Sequence, residues 1–455
     1  MIGREEQLGL LNEYFQSDKN NLTILYGRHN TGKTELIKEF IKDKKALYFN
    51  ALPAVDFELM HNFVIAAGMQ SESVAGIEKD ENLQNPDYES VFDLVVTHEN
   101  VQVIVIENFN NIVRVDSGFI ADVAHFIKVC RRKVMFILTC SSVQWVENAM
   151  VKSIGPAAFS INAFMKLKQI EYSSVVSMFP EMDPKSGLYA YAVTGGFPGY
   201  LTEWNDKDTV RNNICRLFLD ADGPLNKEAE LYVSEEFRET SVYNTILACL
   251  AAGRNKLNEI HEYTGFGRDK ISVYLNNLIE REIVEKIFSF DAGNSKTTKK
   301  GLYHIQDGFI NFWYKFIYPN YGLLGIISSE EFYDKFIAEG IEEFVKEAFI
   351  NVGCEFLDIM SSVNRLAVTA EYKGRWYGKK GDIHIVYSGD EGDVIGQVHT
   401  GNQPFDSADY EEFAENFSVA GVKPKQIFIF STAGFTDRFI NSRDDMTMLV
   451  RIEDL

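Results

Sequence analysis

The stretch Gly27-Arg28-His29-Asn30-Thr31-Gly32-Lys33-Thr34 fits G-x-x-x-x-G-K-[ST]. It follows the apolar run Leu22 to Tyr26 and precedes a helical pattern from Glu35 to Lys42. A strand, a glycine-bounded loop and a helix in that order leave few folds open. Consecutive backbone N–H groups and a helix N-terminus must converge on one anion. The pattern predicts ATP or ADP along Gly27, Arg28, His29, Asn30, Thr31, Gly32, Lys33 and Thr34. Gly27 and Gly32 permit the turns, Lys33 reaches the β/γ-phosphates and Thr34 offers its hydroxyl to Mg²⁺.

Four apolar runs, "LTILYG", "KALYFN", "VQVIVIEN" and "KVMFILTCSS", alternate with helical patterns over residues 1–160. Continuous apolar strands of this kind predict a parallel sheet covered on both faces, hence an α/β nucleotide-binding domain. A second central strand should end in Asp-Glu, the first carboxylate for Mg²⁺ and the second for the attacking water. The run that fits ends Glu107-Asn108, so the predicted metal contacts are Thr34 and Glu107. Asn108 cannot accept a proton as a carboxylate does. The fourth run should place Ser141 or Ser142 near the γ-phosphate, where a polar residue can sense the nucleotide state.

Past residue 160 the pattern changes three times. Residues 161–235 read as mostly helical, around "TGGFPGYL". Residues 236–306 read as three short helices and two strands, a winged helix. An aromatic connector, 307–324, leads to a last α/β unit over 325–455. With 455 residues the chain has room for several domains, and its net charge of −21 argues against a surface that grips nucleic acid everywhere. The winged helix is the exception: residues 238–305 carry ten Lys/Arg against eight Asp/Glu. Its third helix offers Arg268, Lys270 and Asn276 to double-stranded DNA, the arginine and asparagine being suited to base edges, and its wing offers Lys296, Lys299 and Lys300 to phosphates. The opposing reading is a winged helix used for protein packing. Five dispersed cysteines, no secretory pattern and no membrane-length apolar run predict a cytoplasmic protein.

Together "IGREEQL", "LYGRHNTGKTELI", "VTGGFPGYL", "YLNNLIEREIVEK" and "GLYHIQDGFINFWYKFIYPN" resemble the prokaryotic, archaeal-type P-loop ATPase family with an Orc/Cdc6-like AAA+ core. The resemblance implies a helical lid over 161–235, a winged-helix domain and a C-terminal α/β endonuclease-like domain. It also implies that Arg4 belongs to the nucleotide site. Two departures bear on turnover: Glu107-Asn108 replaces Asp-Glu, and Gly155 is followed by Pro156 where the family carries an arginine. In the last domain the family's Asp and Glu-x-Lys positions fall on His384, Gln397 and His399, with Glu342 as the upstream acid. This set is a poor Mg²⁺ cage. Residues 321–455 carry 24 Asp/Glu against 12 Lys/Arg, which suits a phosphate backbone badly. The expectation is therefore an ATP-binding regulator with weak or absent hydrolysis and no nuclease chemistry. The alternatives are an ATPase completed by another subunit of a homo-oligomer, and a non-enzymatic protein that binds a partner in a toxin–antitoxin or mobile-element system.

Overall fold

The structure, a computed structural model, describes residues 2–71, 74, 87–290 and 301–455. The chain divides into two units, residues 1–170 with 197–199, and residues 171–196 with 200–455.

The first unit is built on strands β1 (Asn21–Tyr26), β2 (Ala46–Asn50), β3 (Val103–Glu107), β4 (Met135–Cys140) and β5 (Ala163–Lys166). They lie in the order β2-β3-β4-β1-β5, all parallel. β1, β3 and β4 are buried along their whole length. Each feeds two cores because side chains alternate across a strand. Leu22, Ile24, Ile104, Ile106, Phe136 and Leu138 join the core on one face. Leu25, Val103, Val105, Met135 and Ile137 join the core on the other. Full burial stabilises each such side chain by roughly 1.5–3 kcal/mol. Both faces are thus committed, and the strand ends are left for chemistry. β5 lies within 161–235, a stretch that reads as mostly helical and in which no strand was singled out. At four residues, with Phe164 exposed, it is too short and too open to show an apolar run.

The second unit starts with helices, among them Tyr172–Met178 and Pro184–Thr194. Helices Thr240–Ala251, Leu257–Thr264 and Arg268–Glu280 follow, then β6 (Val284–Phe288) and β7 (Gly301–Ile305), paired antiparallel. The wing residues Lys296, Lys299 and Lys300 lie outside the described residues. The expected connector at 307–324 is instead helical, and Phe309, Ile310, Phe312, Trp313 and Phe316 are all buried. Asp307 caps it, accepting the Ile310 N–H at 3.0 Å. Helices Ser329–Phe336 and Ile341–Ser362 follow. Gly340 separates them, and a Cβ on it would press on the Phe316 ring at 2.9 Å.

A second sheet contains β8 (Tyr372–Tyr377), β9 (Asp382–Gly389), β10 (Gly392–His399), β11 (Pro424–Ser431) and β12 (Thr447–Arg451) in sequential order. β9 runs antiparallel to its neighbours β8 and β10, whereas β10, β11 and β12 are parallel. The first strand of this sheet, β8, is Tyr372–Tyr377. That edge strand carries Lys373 and Arg375, so its sequence is too polar to read as a strand. The chain leaving β6 runs along β8: the Phe290 N–H donates to the Arg375 carbonyl at 2.6 Å, and Phe290 joins the core of this sheet.

Candidate functional site

The loop from Gly27 to Thr34 joins β1 to the helix Lys33–Ile41. A Cβ on Gly27 would collide with the carbonyl of Leu167. Gly32 caps the helix in a left-handed conformation, φ +83°. These two glycines fold the loop back over its helix N-terminus. Lys33 is 8% exposed, and its Nζ donates to the carbonyls of Gly27 and Arg28 at 2.7 Å each. Burial pushes this ammonium down to about 8, against the opposing pull of Cys140, Glu107 and Glu35. His29 is exposed and Asn30 takes a left-handed φ of +62°.

Arg4 is also buried. Its guanidinium donates to the Thr31 carbonyl at 2.8 Å and to the Lys168 carbonyl, so its donors brace the loop from behind. Burial lowers its pKa. Residues 197–199, the "FPG" of the quoted motif, pack within the same unit. The Arg28 guanidinium lies 4.9 Å above the Phe197 ring, and the Gly199 N–H donates to the Asn30 carbonyl at 3.0 Å. A Cβ on Gly199 would stand 2.8 Å from Asn30 Oδ1.

Glu107 ends β3 directly beside the loop and is 5% exposed. Thr34 Oγ1 donates to Glu107 Oε1 at 2.9 Å, and the Tyr48 hydroxyl donates to Glu107 Oε2 at 2.6 Å. Burial and Glu107 both raise the Tyr48 pKa. Asn108 turns out of the strand with φ +53°. Its Nδ2 donates to Asn50 Oδ1 at 2.9 Å and its N–H to Thr139 Oγ1 at 3.3 Å. Either setting of the two amides leaves one donor and one acceptor facing outward. Ser141 follows β4, half-buried, without joining this bonded group. Tyr48, Asn50 and Thr139 were not singled out in the sequence. Tyr48 and Asn50 stand on β2, a neighbouring strand with no motif of its own, and only the register Asn50↔Glu107 brings them in.

The donor set suits a hard cation. A threonine hydroxyl and a carboxylate stand together at the phosphate loop, as Mg²⁺ requires when phosphates complete its shell. Among the described residues no group of three or more His, Cys, Asp or Glu side chains is placed to hold a metal by itself.

After β4 the chain reaches Gly155, with φ +55° and ψ −129°, then a 3₁₀ turn over Gly155–Ser160 in which Phe159 is 94% exposed. An arginine from elsewhere approaches this region. Arg114 lines a cavity of about 300 Å³ together with Ser142, Ser153 and Ile154.

In the second unit the side chains at the four nuclease-type positions are each engaged differently. His384 is 7% exposed, and its Nδ1 accepts the Val398 N–H at 3.0 Å. Burial pushes it down to about 3, so the ring is neutral. Gln397 Oε1 is buried without a partner among the described residues. His399 Nε2 meets the Gln403 carbonyl at 2.9 Å. Glu342 pairs with Lys185 at 3.6 Å, and Lys185 also donates to Asn402 Oδ1 at 3.0 Å. The carboxylate that acts on His384 is Glu347, which is taken by Arg375 at 2.5 Å. On the helix Arg268–Glu280, Arg268, Lys270 and Asn276 are exposed. Arg268 Nε donates to Asn258 Oδ1 at 3.0 Å, and the Lys270 ammonium lies over the Phe266 ring. No helix among the described residues is long and apolar enough to cross a membrane.

Residues 1–204 match a family described as an ATPase domain predominantly from Archaea, and residues 313–401 match one described as archaeal and bacterial proteins of unknown function. An uncharacterised protein of Methanocaldococcus jannaschii is 25% identical over 394 residues, 85% of this chain and 83% of that protein. An uncharacterised ATP-binding protein of the same organism is 48% identical over 44 residues, 10% of this chain and 75% of that protein. Among solved structures, the Walker-type ATPase of Pyrococcus abyssi shares the fold at a TM-score of 0.51 and 17% identity, covering 69% of this chain and 96% of that one.

Proposed function

From the premise that residues 1–204 carry a P-loop ATPase domain of archaeal type, we propose that this chain is an ATP-binding, nucleotide-controlled regulator of the AAA+, Orc/Cdc6-like class, with slow hydrolysis. The observation that carries the reading is the 2.9 Å bond between Thr34 Oγ1 and Glu107 Oε1 beside the Lys33 ammonium. The loop's N–H groups and Lys33 would hold the β- and γ-phosphates, and Thr34 with Glu107 would hold Mg²⁺. Bound there, Mg²⁺ supplies neutralisation of charge on the phosphate oxygens.

The chain's own residues explain why turnover should be slow. Asn108 can orient a water through its amide but cannot take up its proton. No arginine stands between Gly155 and Ser160 to stabilise charge on the transferring group. Positioning and charge stabilisation supply nearly all catalysis in phosphoryl transfer, so losing part of each slows the step. Purified protein should carry or bind ATP or ADP, release phosphate far below ~1 s⁻¹, and lose binding with Lys33→Ala. Undiminished affinity in that variant would sink the assignment.

A second reading, an ATPase completed between subunits, draws support from Arg114. This exposed guanidinium shares a cavity wall with Ser153 and Ile154, just before the place where the family carries its arginine. Phosphate release per subunit that climbs with protein concentration and collapses in Arg114→Ala would replace the first reading by the second. DNA binding belongs to the proposal through the three helices and hairpin over 240–305, with Arg268, Lys270 and Asn276 exposed on the third helix.

A further inference from the structure

A glutamate at the end of β3 reaches one methylene further than aspartate and has one more rotatable bond. Left to itself, such a side chain samples several rotamers, and a cation contact made by one of them is diluted by the others. Here both carboxylate oxygens are fixed. Oε2 accepts the Tyr48 hydroxyl at 2.6 Å and Oε1 accepts the Thr34 hydroxyl at 2.9 Å. We propose that Tyr48 is the positioning residue that makes Glu107 serviceable at a cation site, by pinning one oxygen so that the other faces Thr34. The inference rests on the P-loop reading above and deepens it.

Tyr48 is itself held. β2 is the edge strand of its sheet, so its outer backbone groups lack a strand partner. At this residue the gap is filled by one amide: Gln70 Oε1 accepts the Tyr48 N–H at 2.9 Å, and Gln70 Nε2 donates to the Tyr48 carbonyl at 2.8 Å. The helix Asp56–Gln70 ends there, so its last residue clamps the strand at the one position whose side chain reaches Glu107. Two residues on, Asn50 stands on the same face of β2 and holds Asn108. Both residues of the departed Glu107-Asn108 pair are therefore bonded from β2. A tyrosine suits the first contact because its hydroxyl sits at the end of a rigid ring, with few rotamers to lose.

The test separates this inference from the reading it rests on. ATP affinity is measured by calorimetry with Mg²⁺ and with EDTA, on wild type, Tyr48→Phe, Glu107→Gln, the double variant and Lys33→Ala. We expect Tyr48→Phe to keep the EDTA affinity within about twofold while the gain on adding Mg²⁺ shrinks on the order of three- to tenfold, the net scale of one ordinary hydrogen bond. Glu107→Gln should shrink that gain at least as far, and the double variant no further, because Tyr48 acts only through Glu107. A Tyr48→Phe protein with the full Mg²⁺ gain, beside a Glu107→Gln protein that has lost it, overturns the role. So does Tyr48→Phe losing EDTA affinity in equal measure, since Tyr48 would then serve the fold alone. Wild type that binds no nucleotide in either condition, or Lys33→Ala that binds like wild type, fails the P-loop reading itself.

Discussion

Lys33 should make the stability of the empty protein rise with pH while its affinity for nucleotide falls. Its folded-state pKa, near 8, lies about 2.5 units below the ordinary lysine value of 10.5. At about 1.36 kcal/mol per unit this is roughly 3 kcal/mol of preference for the neutral form. The depressed group is a base, so the folded state binds fewer protons than the unfolded chain between about pH 8 and 10.5, and stability without nucleotide rises with pH across that window. Integrated from pH 8 to 9.5, the gain is about 1.5 kcal/mol. A triphosphate needs the charged ammonium, so binding should draw the pKa back up. At pH 8 about half the sites are neutral, and ATP should take up about half a proton. From pH 8 to 9 the affinity should fall about fivefold. Proton uptake is read from calorimetric enthalpies in buffers of different ionisation heat, and stability from melting of the wild type against Lys33→Met at pH 8 and 9.5. Groups common to the two proteins cancel, so only the difference between them counts. Parallel pH slopes in the two proteins, or no proton uptake at pH 8, would refute the reasoning.

Asn108→Glu should raise phosphate release toward the ~10²-fold low end of what a positioned base contributes, checked beside wild type and Lys33→Ala; no gain would mean that Glu107-Asn108 does not face the γ-phosphate. Glu355 accepts the Tyr172 N–H and the Tyr191 hydroxyl, both at 3.0 Å, yet burial lifts it to about 7. Its folded pKa is raised, so stability is fullest in acid and is lost as pH climbs from the ordinary carboxylate range through 7. Glu355→Gln should flatten that decline in melting temperature between pH 5 and 8, and an unchanged slope would remove Glu355 from the account. Plasmid incubated with the protein and Mg²⁺ should stay supercoiled, because His384 is neutral and its Nδ1 is occupied; cutting that His384→Ala abolishes would overturn this. If DNA binds, Lys270→Ala should weaken all sequences alike and Asn276→Ala should shift preference; binding indifferent to both, and to Arg268→Ala, would leave the helix to protein packing.

The first unit was legible because its signals are local. A strand buried on both faces writes itself as an unbroken apolar run, and the phosphate loop must keep its glycines and Lys33 in fixed spacing. Parts of the site that come from register were hidden. Tyr48 and Gln70 sit in ordinary surroundings along the chain, and only strand pairing and a helix end bring them to Glu107. Edge strands hid for a related reason. β5 and β8 are half-exposed, so their sequences mix charge with aromatic residues. Residues 307–324 read only as an aromatic connector, and their aromatics give no helical period because they run through three short helical pieces of different pitch. Of the acids on the long helix, Glu342 pairs with Lys185, whereas Glu347, five residues further along, is the carboxylate that acts on His384.

Residues 197–199 belong with the loop by their contacts, while the chain on both sides of them belongs to the other unit. The Asn30 carbonyl and the Gly199 N–H are coupled, and Gly199 has no room to slip past Asn30. Mechanically this is a tendon stitched to the loop, at Gly199 by this bond and at Phe197 beneath Arg28. A change in the loop's shape that shifts Asn30 pulls on Gly199 and on its covalent neighbours. A bulkier residue at 199 would prise that stitch open and slacken the pull. Gly199→Val should therefore keep ATP binding measurable while weakening any protection that ATP gives the second unit against proteolysis; protection undiminished by the substitution would show that the signal travels by another route.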